Sequence, residues 1–248
     1  MIIPKALINQ VANSLVKHFK LDKIMSYVFE DNELDKEDTN SWHSKMQSQA
    51  RDLDVALTAL AKTTLAPTFD NITETAEGAV AILAQFKQGV GALESQLGAI
   101  NAVAGQFAVE SGDLISVVRR TGGVFKAAGG DLKELIALFT SVRATTRENA
   151  ESIATGLRTI FTRIQRPETI GFLKELGVQL TDVNGKFVGP YEAVRRLSQA
   201  FGDLPQGDLR FVKIAEELGG FRQVGKVIPL LKQFGTTQEA LALANLSL

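Results

Sequence analysis

Between Ile72 and Phe107 the chain keeps an unbroken seven-residue apolar register. Ala76, Leu83, Val90, Leu97 and Ala104 form one column, and Ile72, Ala79, Phe86, Leu93, Ile100 and Phe107 form the other. A stripe spaced about 3.5 residues apart stays on one side of a helix only if the helix supercoils on a partner, so the pattern predicts a long helix of about 50 Å that needs company. The partner is either a second copy or another helix of the same chain. Ala76, Leu83, Phe86, Val90, Leu93, Leu97, Ile100 and Phe107 are the candidate packing seam. Gly91, Gly98 and Gly105 are also seven apart, which makes either a smooth strip for a neighbouring backbone or drift in a tolerant coil. Each glycine costs a helix about 1 kcal/mol relative to Ala, so a bendable helix is expected in place of a free-standing rod.

The interior must be built largely without aromatics. Of 248 residues, 45% are hydrophobic but only 7% aromatic, with one Trp, two Tyr and 14 Phe. Leu, Ile, Val and Ala suit helix packing, and an all-α fold is expected. Cys is absent, so no disulfide framework or thiolate metal site is available and a reducing compartment fits. Met1-Ile2-Ile3-Pro4-Lys5 does not open like a signal peptide, and no apolar run is long enough to span a membrane.

Charge divides the chain in two. The formal total of −1 combines −5 over residues 1–110 with +4 over residues 111–248, and Arg51 is the one arginine of the first part. The acid excess is local to Glu30, Asp31, Glu33, Asp35, Glu37 and Asp38 and reads as a solvated loop. Residues 1–110 are therefore expected to form a long helical, coiled-coil-like region and residues 111–248 a compact multi-helix domain.

In the first region a helix from Pro4 carries Leu7, Val11, Leu15 and Phe19. A second, capped by Asn40 or Ser41, carries Trp42, Met46, Ala50, Leu53, Leu57 and Leu60 until Pro67 breaks it. After Ser111 the helices shorten and their punctuation sharpens. Ser111 or Asp113 opens one that ends at Gly129-Gly130; Asp131 with Glu134 makes a capping box, and Thr145 with Glu148 repeats it. Pro167 and Pro190 start further helices, Asp208 caps another that ends at Gly219-Gly220, and Phe221 to Phe234 gives an amphipathic run closed by Gly235. Asn184-Gly185 between alternating residues predicts one small β-hairpin at 178–188. Gly129, Gly130, Asn184, Gly185, Gly219 and Gly220 are the candidate turns or hinges. Thr236 and Glu239 begin a helix that reaches Leu248 without a stop signal, so a longer protein, truncated here, is expected.

The order of these pieces resembles the core region of phage tail tape measure proteins. The residues that carry it are Gly112-Asp113-Leu114, Val124 to Gly129, Leu132-Lys133-Glu134-Leu135, Ala144 to Glu148, Ile153 to Leu157, Ile160 to Ile164, Leu176-Gly177-Val178, Thr181 to Lys186 and Glu217 to Arg222. The resemblance covers roughly residues 111 to 240. It implies a virion structural protein, phage or prophage-encoded, that lies in the tail lumen, sets tail length during assembly in the host cytoplasm, and leaves ahead of the DNA at genome ejection. It also implies partners: other copies of itself, the tail tube protein, tail assembly chaperones and baseplate proteins.

Sharper chemistry lacks its parts. His18 and His43 are the only histidines, no His-x-x-x-His or Gly-x-Ser-x-Gly occurs, and adjacent carboxylates such as Glu216-Glu217 diverge by about 100° on a helix. No enzyme activity, metal or cofactor is expected. Asp182-Val183-Asn184-Gly185 lacks the later ligands of a calcium loop, and Gly122-Gly123 and Gly129-Gly130 read as helix ends, hinges or caps in place of phosphate cradles. Arg119-Arg120 and Arg195-Arg196 are interleaved with acids and have no aromatics beside them, so nucleic acid is not expected as a partner. A second reading is a non-enzymatic helical coiled-coil adaptor or surface interaction protein.

Overall fold

The computed structural model describes residues 71–205 and 207–246 and, ahead of them, Arg51, Val55 and Ala59. Arg51, Val55 and Ala59 are helical; the rest of the helix expected from Asn40 or Ser41, the helix from Pro4, the acidic loop and the Pro67 break lie outside the described residues. From Asn71 onward the described residues form ten α-helices: α1 Ile72–Phe86, α2 Leu93–Gln106, α3 Ser111–Ala127, α4 Leu132–Thr146, α5 Ala150–Arg163, α6 Pro167–Glu175, α7 Pro190–Phe201, α8 Leu209–Gly219, α9 Val224–Lys232 and α10 Phe234–Leu246. Short 3-10 turns at Val90–Ala92 and Phe221–Gln223 precede α2 and α9. No β-strand occurs among the described residues, as an all-α fold requires.

The order of layers follows from α4. Leu132 and every residue from Leu135 to Val142 are buried, so this helix is covered on all sides. Its buried hydroxyls turn inward on the helix: Thr140 donates to the Ile136 carbonyl at 2.7 Å and Ser141 to that of Leu138 at 3.0 Å. Around α4 pack α3, α9 and α10; α3 in turn carries α1 on one flank and α5 on another, and α10 reaches α2. The core is one cluster that includes residues on both sides of Glu110, from Ala76 and Leu97 to Leu231 and Ala244.

Most helix starts are written locally. Asp131 and Glu134 form the expected reciprocal capping box, Asp208 accepts from the Arg210 N–H, and Pro167 and Pro190 occupy first turns. Asn71 and Asn149 cap α1 and α5 by accepting from the Glu74 and Ser152 N–H groups. Thr145 and Glu148 make no second box. Helix α4 runs through Thr145, whose hydroxyl donates to the Ser141 carbonyl, and Asn149 does the capping. Gly235 does not end a helix either: Phe234 begins α10 and Gly235 lies inside it.

The rod expected from Ile72 to Phe107 is two helices. Helix α1 ends at Phe86, Lys87 turns left-handed at φ +51°, and Gly89 is extended before the 3-10 turn. At 15 and 14 residues each helix is about 20 Å long, short enough for both to lie against one body.

The expected hairpin at 178–188 is also absent. Thr181 and Phe187 make one isolated antiparallel bridge. The chain does reverse at Asn184-Gly185, with Gly185 at φ +76°. Asp182 holds that turn locally, its carboxylate accepting from the N–H groups of Asn184 and Lys186. The arms are too short for a ladder, because the Val178 N–H is bound back to the Leu173 carbonyl of α6 and Gly189, at φ +96°, already leads into α7.

Candidate functional site

The seam residues face the body of their own chain. Ala76, Leu83, Phe86, Leu93, Leu97 and Ile100 are buried, while Val90 and Phe107 pack partly buried on the core. Glycines set how closely α1 approaches α3, though not the glycines of the seven-residue strip. A Cβ on Gly78 would lie 2.7 Å from Ile115 Cγ2, one on Gly112 2.9 Å from the Glu74 carboxylate, and one on Gly122 2.8 Å from the Phe86 ring. Gly91 and Gly105 have open space beside them. Gly122-Gly123 lie inside α3, so they are neither cap nor hinge: Gly122 serves the crossing with α1. At the edge of the crossing Arg119 pairs with Glu77 at 2.7 Å, and Gln85 Nε2 donates to the Arg119 carbonyl at 2.8 Å.

The other glycine positions are turns between helices. Gly129 takes φ +94°, and Gly130 leaves room for the Phe125 ring, which meets Phe161 edge-on at 4.8 Å. Gly219 closes α8 and Gly220, at φ +62°, turns the chain beside the Arg163 guanidinium.

Several charged side chains pair within or between helices. Arg195 and Arg196 both donate to Glu192, at 2.6 and 2.8 Å, and these bonds pull the Glu192 carboxyl down to about 2. Arg196 also reaches the Gln179 carbonyl, tying the 178–188 turn to α7. Arg120 pairs with Glu151, joining α3 to α5, and Arg143 with Asp113 at 3.1 Å, joining α4 to α3. Lys226 is buried and pairs with Glu148 at 2.9 Å; the Ser152 hydroxyl and that ammonium hold the Glu148 carboxyl below its ordinary range. Glu134 runs the other way. Burial, reinforced by the neighbouring Asp131 charge, raises its carboxyl to about 7. Of the adjacent pair, Glu217 accepts from the Thr169 hydroxyl at 2.6 Å, which gives it a structural role at the end of α8.

One feature is invisible in the apolar pattern. Val212 and Ile228 sit at core-like positions of amphipathic runs, and Phe221 heads one, yet they are 48%, 39% and 89% exposed. Val212 and Ile228 border a groove of about 440 Å³ between α8 and α9, lined by Asp208, Phe211, Ala215, Val224 and Lys232 among others, and Phe221 lies outside that lining. Alternation and spacing mark a residue as apolar-faced; they do not say whether anything covers the face.

Glycine-smoothed crossings, capped short helices and ion pairs within and between them make an all-α packing. A family model described as Phage-related minor tail protein matches residues 35–220, three quarters of the chain. The chain belongs to the phage-related minor tail protein family, and its role is that of a structural component of the phage tail. The match begins well before Gly112, so it takes in the seam as well as the compact block as far as Gly220. No solved structure matches the chain significantly. No helix among the described residues is long and apolar enough to cross a membrane.

Proposed function

We propose that the chain is part of a tail tape measure protein, which sets tail length during assembly and leaves the tube at genome ejection. It acts without enzymatic activity, first in the host cytoplasm and then in the tail lumen, against other copies, the tail tube protein, assembly chaperones and baseplate proteins. The observation that supports this most is the ordered helical block that begins at Gly112, of which residues 112–220 fall within the matched residues 35–220. Its arginines support a structural role over a nucleic-acid one, since Arg119, Arg120, Arg195 and Arg196 each face a carboxylate. The test is tail length in phage whose gene carries an in-frame helical insertion ahead of Asn71. An insert of about 40 residues lengthens the tail by about 60 Å if the chain is the ruler. Tails of unchanged length contradict the reading.

One observation favours the adaptor reading. The seam that looked fit for a rod is buried within a single copy, and apolar surface is left open elsewhere, on α8 and α9. A chain that never measures length but docks another tail protein leaves tail length independent of the insert.

A further inference from the structure

The hairpin of α8 and α9 displays apolar surface that nothing among the described residues covers. Leu209, Val212, Phe221 and Ile228 are 78%, 48%, 89% and 39% exposed. Val212 and Ile228 stand on opposite walls of the groove of about 440 Å³, and Phe221 projects from the 3-10 turn that joins those walls. An exposed aromatic knob and an apolar hole roomy enough for its ring thus share one hairpin.

The hairpin is held in place before any partner arrives. Arg163 donates to the Glu217 carbonyl at the end of α8, and buried Lys226 of α9 pairs with Glu148. Lys232 closes one end of the groove, its Nζ 4.7 Å above the Phe211 ring and donating to the carbonyls of Gly202 and Leu204. A face that needs no ordering loses little entropy on docking.

We propose that this hairpin is a self-docking surface, on which a second copy of the chain packs about a two-fold axis with Phe221 of each copy in the groove of the other. An isologous contact requires that one patch carry both halves of every interaction. The charges beside the knob meet that requirement as well as the shapes do. Arg222 follows Phe221 and is exposed, and Glu216 is exposed in the last turn of α8. Across a two-fold axis Arg222 of each copy meets Glu216 of the other. The inference rests on this geometry and stands apart from the tape-measure reading.

Sedimentation velocity on the full 248-residue chain tests it. A reversible dimer is expected between about 1 and 100 µM. Phe221→Ala, at an exposed position, should leave the melting temperature unchanged and raise the dimer dissociation constant at least about tenfold. Arg222→Glu should weaken the dimer, and adding Glu216→Arg should restore it. A monomer throughout that range overturns the proposal, whether the groove is open or covered by the chain's own N-terminal residues. So does an oligomer indifferent to Phe221→Ala and to the charge exchange.

Discussion

Arg163 closes a helix that is not its own: its Nε donates to the main-chain oxygen of Glu217, 2.8 Å away, at the C-terminal end of α8. The last carbonyls of a helix have no partner within it, and a cation there also meets the negative end of the helix dipole. Arg163→Met should therefore cost about 1 to 2 kcal/mol in urea unfolding. Arg163→Lys should recover little, since an ammonium lacks the planar fork that also reaches the Glu216 carbonyl.

The seam is an interior surface of one copy, so a charge placed there has no escape to water. Phe86→Asp should cost about 4 kcal/mol or more, and Leu93→Asp a similar amount, because each buries an unpaired carboxylate. Thermal melts read the cost directly. Melting temperatures equal to wild type would mean that the seam is not packed.

Glycines at the crossing and glycines away from it should respond to Ala with opposite signs. Gly123→Ala, inside α3 with nothing near its Cβ position, should stabilise by up to about 1 kcal/mol. Gly78→Ala gains the same propensity but drives a methyl to 2.7 Å from Ile115, so it should destabilise. Paired denaturation curves of the two variants decide the sign.

Glu134 makes stability depend on pH near neutrality. Its folded carboxyl titrates near 7, above the ordinary value of 4.5, so the native state holds its proton more tightly than the unfolded chain. That contribution is complete below about pH 4.5 and is lost as pH rises through 7. Glu192 has the opposite sign: its carboxyl is held near 2, so its contribution is complete above pH 4.5 and fades only in acid. Between pH 5 and 8 the wild-type melting temperature should fall more than that of Glu134→Gln, because only Glu134 of these two titrates there. Parallel curves for the two proteins would contradict the assignment.

How much of this was legible depended on whether the cause was local. Asp131 with Glu134, Pro167, Pro190, Asp208 and Gly219-Gly220 mark their helix ends with side chains and φ values that need no tertiary context. The break after Phe86 did not show, because the apolar register resumes in phase at Leu93 and hides the left-handed Lys87 between them. At 178–188 the turn residues were legible and the strands were not, since the cross-turn bonds of Asp182 with Lys186 and Val188 with Leu180 stop where the Val178 N–H is tied back to the Leu173 carbonyl of α6. The groove escaped for a third reason. Phe221, Val212 and Ile228 fit the helical spacing, and only the packed structure shows them uncovered.

The apolar register closes within one copy, with α1 laid on α3. The chain has no cysteine of its own, so Gly78→Cys with Ile115→Cys gives a clean test at a pair whose approach suits a disulfide. On non-reducing electrophoresis after mild oxidation, a cross-linked monomer with no free thiol is expected. A disulfide-linked dimer, or two thiols that stay free in the folded protein, would contradict it.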